Sequence, residues 1–125
     1  MIYLTDDLNF ALSLIDGTSL LRSHKIDVSQ VIKLLENYEY KSCIMRQFSK
    51  KKIKELLGRN IPMYQEDPFN QLRIKDEDII IHFQTEILFK NNEVLTKEAI
   101  QQKLFKFSVV KIVTVLDEYE IKYCH

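Results

Sequence analysis

Apolar residues in the first half of the chain recur with the periods of short strands and amphipathic helices. Residues 2–4 predict an opening strand, and the next apolar stretch predicts a short helix over residues 7–15. Asp27 followed by Gln30 is a capping-box pattern, and apolar residues recur behind it at spacings of three and four. This pattern predicts an amphipathic helix that begins after Asp27 and ends near Asn37.

The middle of the chain predicts a strand and then a helix with a defined end. Residues 42–45 predict a short buried strand. Ser49 is the predicted N-cap of the following helix, and Gly58 stands where a glycine in the left-handed conformation closes a helix. Because Pro62 cannot continue a helix, we expect the helix to end at this glycine.

The second half of the chain predicts mostly strands. Residues 69–74 and 78–84 flank a turn at 75–77, which predicts a β-hairpin. The second strand of this pair carries three consecutive isoleucines, and we expect it to lie at the centre of the sheet, covered on both faces. Thr96 is the predicted cap of a last helix, and the β-branched residues of 109–116 predict a final strand.

These elements together predict an α/β fold of the α+β type, a mixed β-sheet flanked by helices. The 125 residues correspond in length to a single domain, 1–125. Eighteen Lys and Arg residues balance eighteen Asp and Glu residues, so the net charge gives no reason to expect duplex nucleic acid as a partner.

The ends of the chain and its few cysteines and histidines indicate where the protein is located and whether it binds a metal. The N-terminus has no basic segment, and no apolar run approaches the roughly 18 residues of a membrane helix. Cys43 and Cys124 are the only cysteines, which favours reduced thiols in a cytoplasm but leaves a disulfide between them open. No pair of cysteines or histidines has zinc-ligand spacing, so neither a metal nor a cofactor is expected.

Charge is unevenly distributed around the predicted middle helix. Residues 41–59 carry seven Lys and Arg residues against one acid. Free backbone N–H groups at the helix start, with Ser49, Arg46 and Lys50 beside them, would make a phosphate site. The alternative is a solvated basic face near the acidic turn at 76–78.

Five segments of the chain together carry a family resemblance. Lys54-Glu-Leu-Leu-Gly-Arg-Asn-Ile-Pro is similar to an E-L-L-G-x-x-x-P segment, and Asn92-Glu-Val-Leu-Thr-Lys-Glu-Ala-Ile is similar to G-K-V-L-T-x-E-E-I. The other three segments are residues 1–4, 26–36 and 78–83. In their order along the chain, the five segments resemble the viral ring nucleases and their bacterial relatives. Members of that family are small anti-CRISPR proteins of archaeal viruses and phages that cleave cyclic tetra-adenylate.

The resemblance implies a homodimer that encloses one cyclic tetranucleotide and needs no metal. In the family a ribose 2′-hydroxyl attacks the neighbouring phosphate, and a His at the start of the catalytic helix protonates the leaving 5′-oxygen. That His lies twelve residues before the glycine of the L-L-G segment, a position that Arg46 occupies here. An Arg side chain keeps its proton near neutral pH and cannot act as this acid. The residue that could catalyse cleavage in this chain is therefore unknown, and we expect the chain to bind the ligand without cleaving it.

A sequestering member of this family would hold a cyclic oligonucleotide second messenger and block defence signalling in the host cytoplasm. Two residues are expected to read base or ribose, and four are expected to hold phosphates: Asn9 and Gln47 in the first group, and Arg46, Ser49, Lys50 and Lys51 in the second.

Two other functions stay open at the level of sequence. A diverged, metal-independent ring nuclease would need a different acid, for which His82 is the candidate, although a locally bonded histidine of the sheet face is the commoner arrangement. A protein-interaction module would keep the fold without the nucleotide pocket. Its contact face would draw on the aromatic residues Phe105, Phe107, Tyr119 and Tyr123.

Overall fold

The computed structural model of the protein describes residues 1–15, 20–67, 72–85 and 105–113. Strands and helices alternate along the chain before two long strands pair near its end. The elements are β1 (Ile2–Thr5), α1 (Leu8–Ser13), β2 (Leu20–Ile26), α2 (Val28–Asn37), β3 (Tyr40–Cys43), α3 (Gln47–Leu57), β4 (Ile79–Thr85) and β5 (Phe105–Val113). Among the described residues they form one sheet in the order β2-β5-β4-β1-β3.

The sheet is mixed, and its parallel part sets the positions of two helix starts. β1 lies between β3 and β4 and runs parallel to both, with Thr5 in register with Cys43 on one side and with His82 on the other. β5 runs antiparallel to β4 and to β2. Because β1 and β3 are parallel neighbours, the helices that follow them, α1 and α3, begin at the same edge of the sheet.

Each face of the sheet is covered by its own apolar layer. One face packs against α2 and α3, and the other packs against α1. Ile80 and Ile81 of β4 are both buried and belong to opposite layers. The sequence prediction of a central strand covered on both faces is therefore confirmed, as is the predicted class of a mixed sheet flanked by helices.

Two of the predicted helix boundary signals, the capping box of α2 and the closing glycine of α3, are confirmed. Asp27 Oδ1 accepts the Gln30 N–H at 2.8 Å, and Gln30 Oε1 accepts the Asp27 N–H at 2.9 Å, so the predicted capping box is present. A further hydrogen bond from the Ser29 side chain lowers the pKa of Asp27. Gly58 closes α3 in the left-handed conformation at φ 68°.

The predicted start of α3 was wrong by three residues. The helix begins at Gln47 with Arg46 at the N-cap position, and Ser49 lies inside the first turn instead of capping it. The physical reason is a contact from a distant element, because the Asp6 carboxylate accepts the backbone N–H groups of Met45 and Arg46 and so fixes the turn earlier in the chain. The strand before it also lies earlier than predicted, over Tyr40–Cys43, where it is in register with β1.

The predicted hairpin between 69–74 and 78–84 was also wrong. The turn itself is present, since the Lys75 N–H donates to Asp78 Oδ2 at 2.8 Å. The described residues before the turn, 72–74, do not pair with β4, however, and Ile74 instead forms an isolated parallel bridge with Ile15. β4 instead takes β1 and β5 as its neighbours.

Strand β2 was not predicted at all, and the reason lies in its exposure. Six of its seven residues are exposed, so the strand lacks the alternation that marks a half-buried strand. The predicted helix after Thr96, residues 68–71, and the end of the predicted final strand at 114–116 lie outside the described residues.

Candidate functional site

Asp6 joins two turns at the edge where the parallel strands end. The residue is buried, and its two carboxylate oxygens accept the N–H groups of Met45 at 2.9 Å and Arg46 at 3.0 Å. The neighbouring turn is held by Thr5, whose hydroxyl donates to the carbonyl of Asp7 and accepts the Asp7 N–H. Asp7 in turn caps α1 through the Phe10 N–H. The negative charges of both aspartates are therefore engaged with backbone donors.

The first turn of α3 has free hydrogen-bond donors. No side chain caps the helix, and the first intrahelical bond runs from the Lys50 N–H to the Arg46 carbonyl at 3.1 Å. Within the described part of the chain, the N–H groups of Gln47, Phe48 and Ser49 have no hydrogen-bond acceptor. Such donors, with the partial positive charge of the helix end, favour an anion at this point.

Ser49 is the residue whose position differs most from its predicted role. It is fully buried, on the same helix face as Ile53 and Leu57, which pack into the core. Its hydroxyl is the one buried side-chain polar atom of the described residues without a hydrogen-bond partner. An unpartnered buried hydroxyl costs about 1–3 kcal/mol. Ser49 is thus placed beneath the start of α3, and not on its surface.

Four consecutive side chains, Met45 to Phe48, are exposed at the start of α3. Phe48 is 45% exposed, and its ring centroid lies 6.1 Å from that of Phe105. The Lys52 ammonium lies 5.9 Å from the Phe48 centroid and 5.6 Å from the Phe105 centroid. An exposed aromatic ring with a cation beside it offers a surface on which a flat group can stack.

The other predicted site residues lie on α3 and α1. Arg46 and Gln47 are exposed beside Phe48, Lys50 is half-buried, and Lys51 is exposed. Asn9 is exposed in the first turn of α1, at the same edge of the sheet. Five of the six predicted residues therefore have accessible side chains, four of them at the start of α3 and Asn9 on α1 at the same edge but against the opposite face of the sheet, and the sixth, Ser49, is buried.

His82 lies on the opposite face of the sheet from α3. Its neighbours in β4, Ile81 and Phe83, belong to the layer against α2 and α3, so alternation directs His82 toward the α1 side. Burial lowers the pKa of His82, and the negative charges of Asp6 and Asp7 oppose this shift. The imidazole is therefore mainly neutral at neutral pH.

Sequence reasoning missed the hydrogen bonds by which Asp6 positions this turn, and it gave no role to Phe48 or Lys52. A carboxylate directly after the first strand was the available signal for Asp6, because ligand sites and helix starts gather at the carboxyl ends of parallel strands. The pairing of Phe48 with Phe105 had no local signal, since it depends on the contact between α3 and β5. Three other aromatic residues were expected in the contact face of a protein-interaction module. Phe107 is buried in the core, and Tyr119 and Tyr123 lie outside the described residues.

Three further features of the described residues concern a thiol, metal ligands and membrane spans. Cys43 is a free, buried thiol, and burial raises its pKa to about 11. In the described ranges, no group of three or more His, Cys, Asp or Glu side chains is arranged to hold a metal ion. The helices described here are all too short or too polar to cross a bilayer.

Comparison with known proteins identifies a shared fold. Neither a protein-family model nor a curated protein sequence matches the chain. Among solved structures, the chain is similar to B116 of Sulfolobus turreted icosahedral virus, with a TM-score of 0.63 and 16% sequence identity. The match covers 88% of this chain and 97% of the viral protein. The protein therefore has the fold of a small viral protein over most of its length.

Proposed function

We propose that the protein binds a cyclic oligonucleotide second messenger at the start of α3 and sequesters it from a defence pathway. The observation that carries this proposal is the uncapped first turn of α3, which begins at Arg46 on the edge where β1, β3 and β4 end. Likeness of the fold to a virus protein supports a viral origin for such a function.

The positive charge at this turn would bind the phosphate groups of the proposed ligand. The N–H groups of Gln47 and Phe48 would donate to phosphate oxygens, and the Arg46 guanidinium would bind a phosphate through two parallel hydrogen bonds. Lys50 and Lys51 would add positive charge in the second turn. The negative charge of buried Asp6 would limit how closely a phosphate approaches, and the N–H groups of Met45 and Arg46 that Asp6 accepts are not available to the ligand.

The exposed aromatic surface at the start of α3 would bind the bases of the proposed ligand. A base stacked on Phe48 would bury a ring that is 45% exposed and that already has the Lys52 ammonium over it at 5.9 Å from the centroid. Gln47 and Asn9 would then read the edge of a base or a ribose hydroxyl, as the sequence predicted.

Sequestration is favoured over cleavage by the side chains at the helix start. Arg46 cannot donate a proton to a leaving oxygen near neutral pH. His82, the candidate acid of the nuclease hypothesis, lies on the other face of the sheet. A homodimer in the host cytoplasm would bring two copies of the turn to one ligand, and it belongs to the same proposal.

A protein-interaction module is the second candidate, and the exposed apolar side chains favour it. Met45 is 39% exposed and Phe48 is 45% exposed, and both lie on one turn. A partner protein that covers this turn would remove them from water without any nucleotide.

Charge reversal tests the nucleotide proposal, whereas a protein-interaction module predicts that neither the wild-type protein nor the variant binds the nucleotide. The variant Arg46→Glu with Lys50→Glu should bind cyclic tetra-adenylate about a hundredfold or more weakly, because two phosphate contacts become repulsive. The matched control Lys25→Glu with Lys75→Glu makes the same change in net charge at exposed positions on β2 and in the turn before β4. Equal affinity of the wild-type protein and the Arg46/Lys50 variant for the ligand would contradict the proposal.

A further inference from the structure

A groove on the α2 side of the sheet lies away from the start of α3. It has a volume of about 340 Å³ and is lined by residues of α2, β2, β4 and β5. This volume is at the lower end of the range for small-molecule sites, about 300–1,000 Å³. Among the described residues, none of those that line the groove comes from α3.

The floor of the groove is aliphatic. Four side chains form it: Ile26, Leu34, Ile79 and Val109. No Phe or Tyr of the described chain lines the groove, and its one ring, the His24 imidazole, lies at the rim, so the floor offers no surface on which a base could stack. A flexible hydrocarbon chain fits such a floor better than a flat heterocycle does.

The rim of the groove is basic. On one wall α2 contributes Gln30 and Lys33, and on the other wall the strands contribute His24 and Lys111. No carboxylate of the described chain lines the groove. Lys33 interacts with the Asp27 carboxylate at the start of α2 without forming an ion-pair contact, and within the same ranges Lys111 has no ion-pair contact either. The charge of the rim is therefore complementary to a negatively charged group, and point charges on two walls suit a carboxylate held between them.

We infer that this groove binds a medium-chain fatty carboxylate. The hydrocarbon chain lies on Ile26, Ile79 and Val109, and the carboxylate lies between Lys33 and Lys111. The apolar chain of the ligand contacts the apolar floor, and its carboxylate contacts the basic rim. In apolar sites of this kind, a few polar groups fix the orientation of the ligand. This site does not depend on the function proposed for α3.

Titration with octanoate, below its micelle concentration, tests the inference. Methyl NMR signals of the floor residues should shift and saturate with octanoate, whereas octanol should bind at least about tenfold more weakly because it lacks the charge. The variant Lys33→Gln with Lys111→Gln should lose affinity for octanoate by a similar factor. Both lysines are exposed, so the variant is expected to fold.

A matched control is available on other surfaces of the chain. Lys25→Gln with Lys75→Gln removes two exposed charges outside the groove and should leave octanoate binding unchanged. Equal binding of octanol and octanoate would overturn the inference, as would unchanged affinity in the Lys33/Lys111 variant. Saturable shifts confined to signals outside the floor would also overturn it.

Discussion

Asp6 determines where α3 begins, because Asp6 Oδ2 accepts the backbone N–H of Arg46 at 3.0 Å. The other carboxylate oxygen accepts the Met45 N–H at 2.9 Å, across a separation of 39 residues. This contact ties the end of β1 to the end of β3 and leaves the first turn of α3 without a side-chain cap. The exposed Arg46 side chain is then free to contact a ligand.

Replacement of Asp6 by Asn should destabilise the protein by about 1–3 kcal/mol, because the amide keeps one acceptor and turns a donor toward a backbone N–H group. The free energy of unfolding, measured by urea denaturation, gives this difference. Asp76→Asn, at an exposed position in the turn before β4, is the control and should change stability little. Equal stability of Asp6→Asn and the wild-type protein would show that the two hydrogen bonds do not fix this turn.

Gly58 closes α3 at φ 68°, and a Cβ added there would meet nothing within 4 Å. Gly58→Ala should therefore cost only the backbone strain of the left-handed conformation, about 1–2 kcal/mol. Gly58→Asn should cost less, since Asn tolerates this conformation. Urea denaturation of the two variants measures the difference, and a larger loss for Asn than for Ala would contradict the explanation.

His82 should make the protein less stable in mild acid. Burial lowers its pKa in the folded state below the usual value of 6.5, so the unfolded chain binds more protons in this range. The stability contributed by neutral His82 is complete above about pH 6.5 and decreases as the pH falls through this value toward the lowered folded pKa.

Unfolding free energies at about pH 7.5 and pH 5 test the role of His82. His82→Gln should lose less stability between the two than the wild-type protein does. His24→Gln, at an exposed position on β2, is the matched control. An identical pH dependence in His82→Gln and the wild-type protein would refute the prediction.

Cys43 should be unreactive in the folded protein. The thiol is buried, and its pKa of about 11 leaves almost no thiolate at neutral pH. In a Cys124→Ser background, Ellman's reagent should react with Cys43 only after denaturant is added. Rapid modification without denaturant would mean that the end of β3 opens readily.

Features fixed by neighbouring residues could be predicted from the sequence. The capping box of Asp27 and Gln30 and the closing Gly58 each depend on a few adjacent positions, and the structure has both where they were expected. The triple isoleucine of β4 also indicated its central place, because burial on both faces removes the usual alternation.

Features fixed by distant contacts could not be predicted in the same way. The start of α3 depends on Asp6, and capping rules applied to the local sequence therefore selected Ser49 instead. β2 is stabilised by pairing with β5, while six of its residues face solvent, so its own sequence carries little strand signal. The stacking surface of Phe48 depends on its contact with Phe105 in the last described strand.

Thermal melting against a panel of cyclic and linear oligonucleotides tests the central claim most directly. A ligand at a hundredfold excess over its Kd stabilises the folded protein by about 2.7 kcal/mol, which raises the Tm of a domain of this size by several degrees. We expect such a rise with a cyclic oligonucleotide, its loss in the Arg46→Glu/Lys50→Glu variant, and recovery of the intact ligand by chromatography. No change in Tm with any member of the panel would contradict the account.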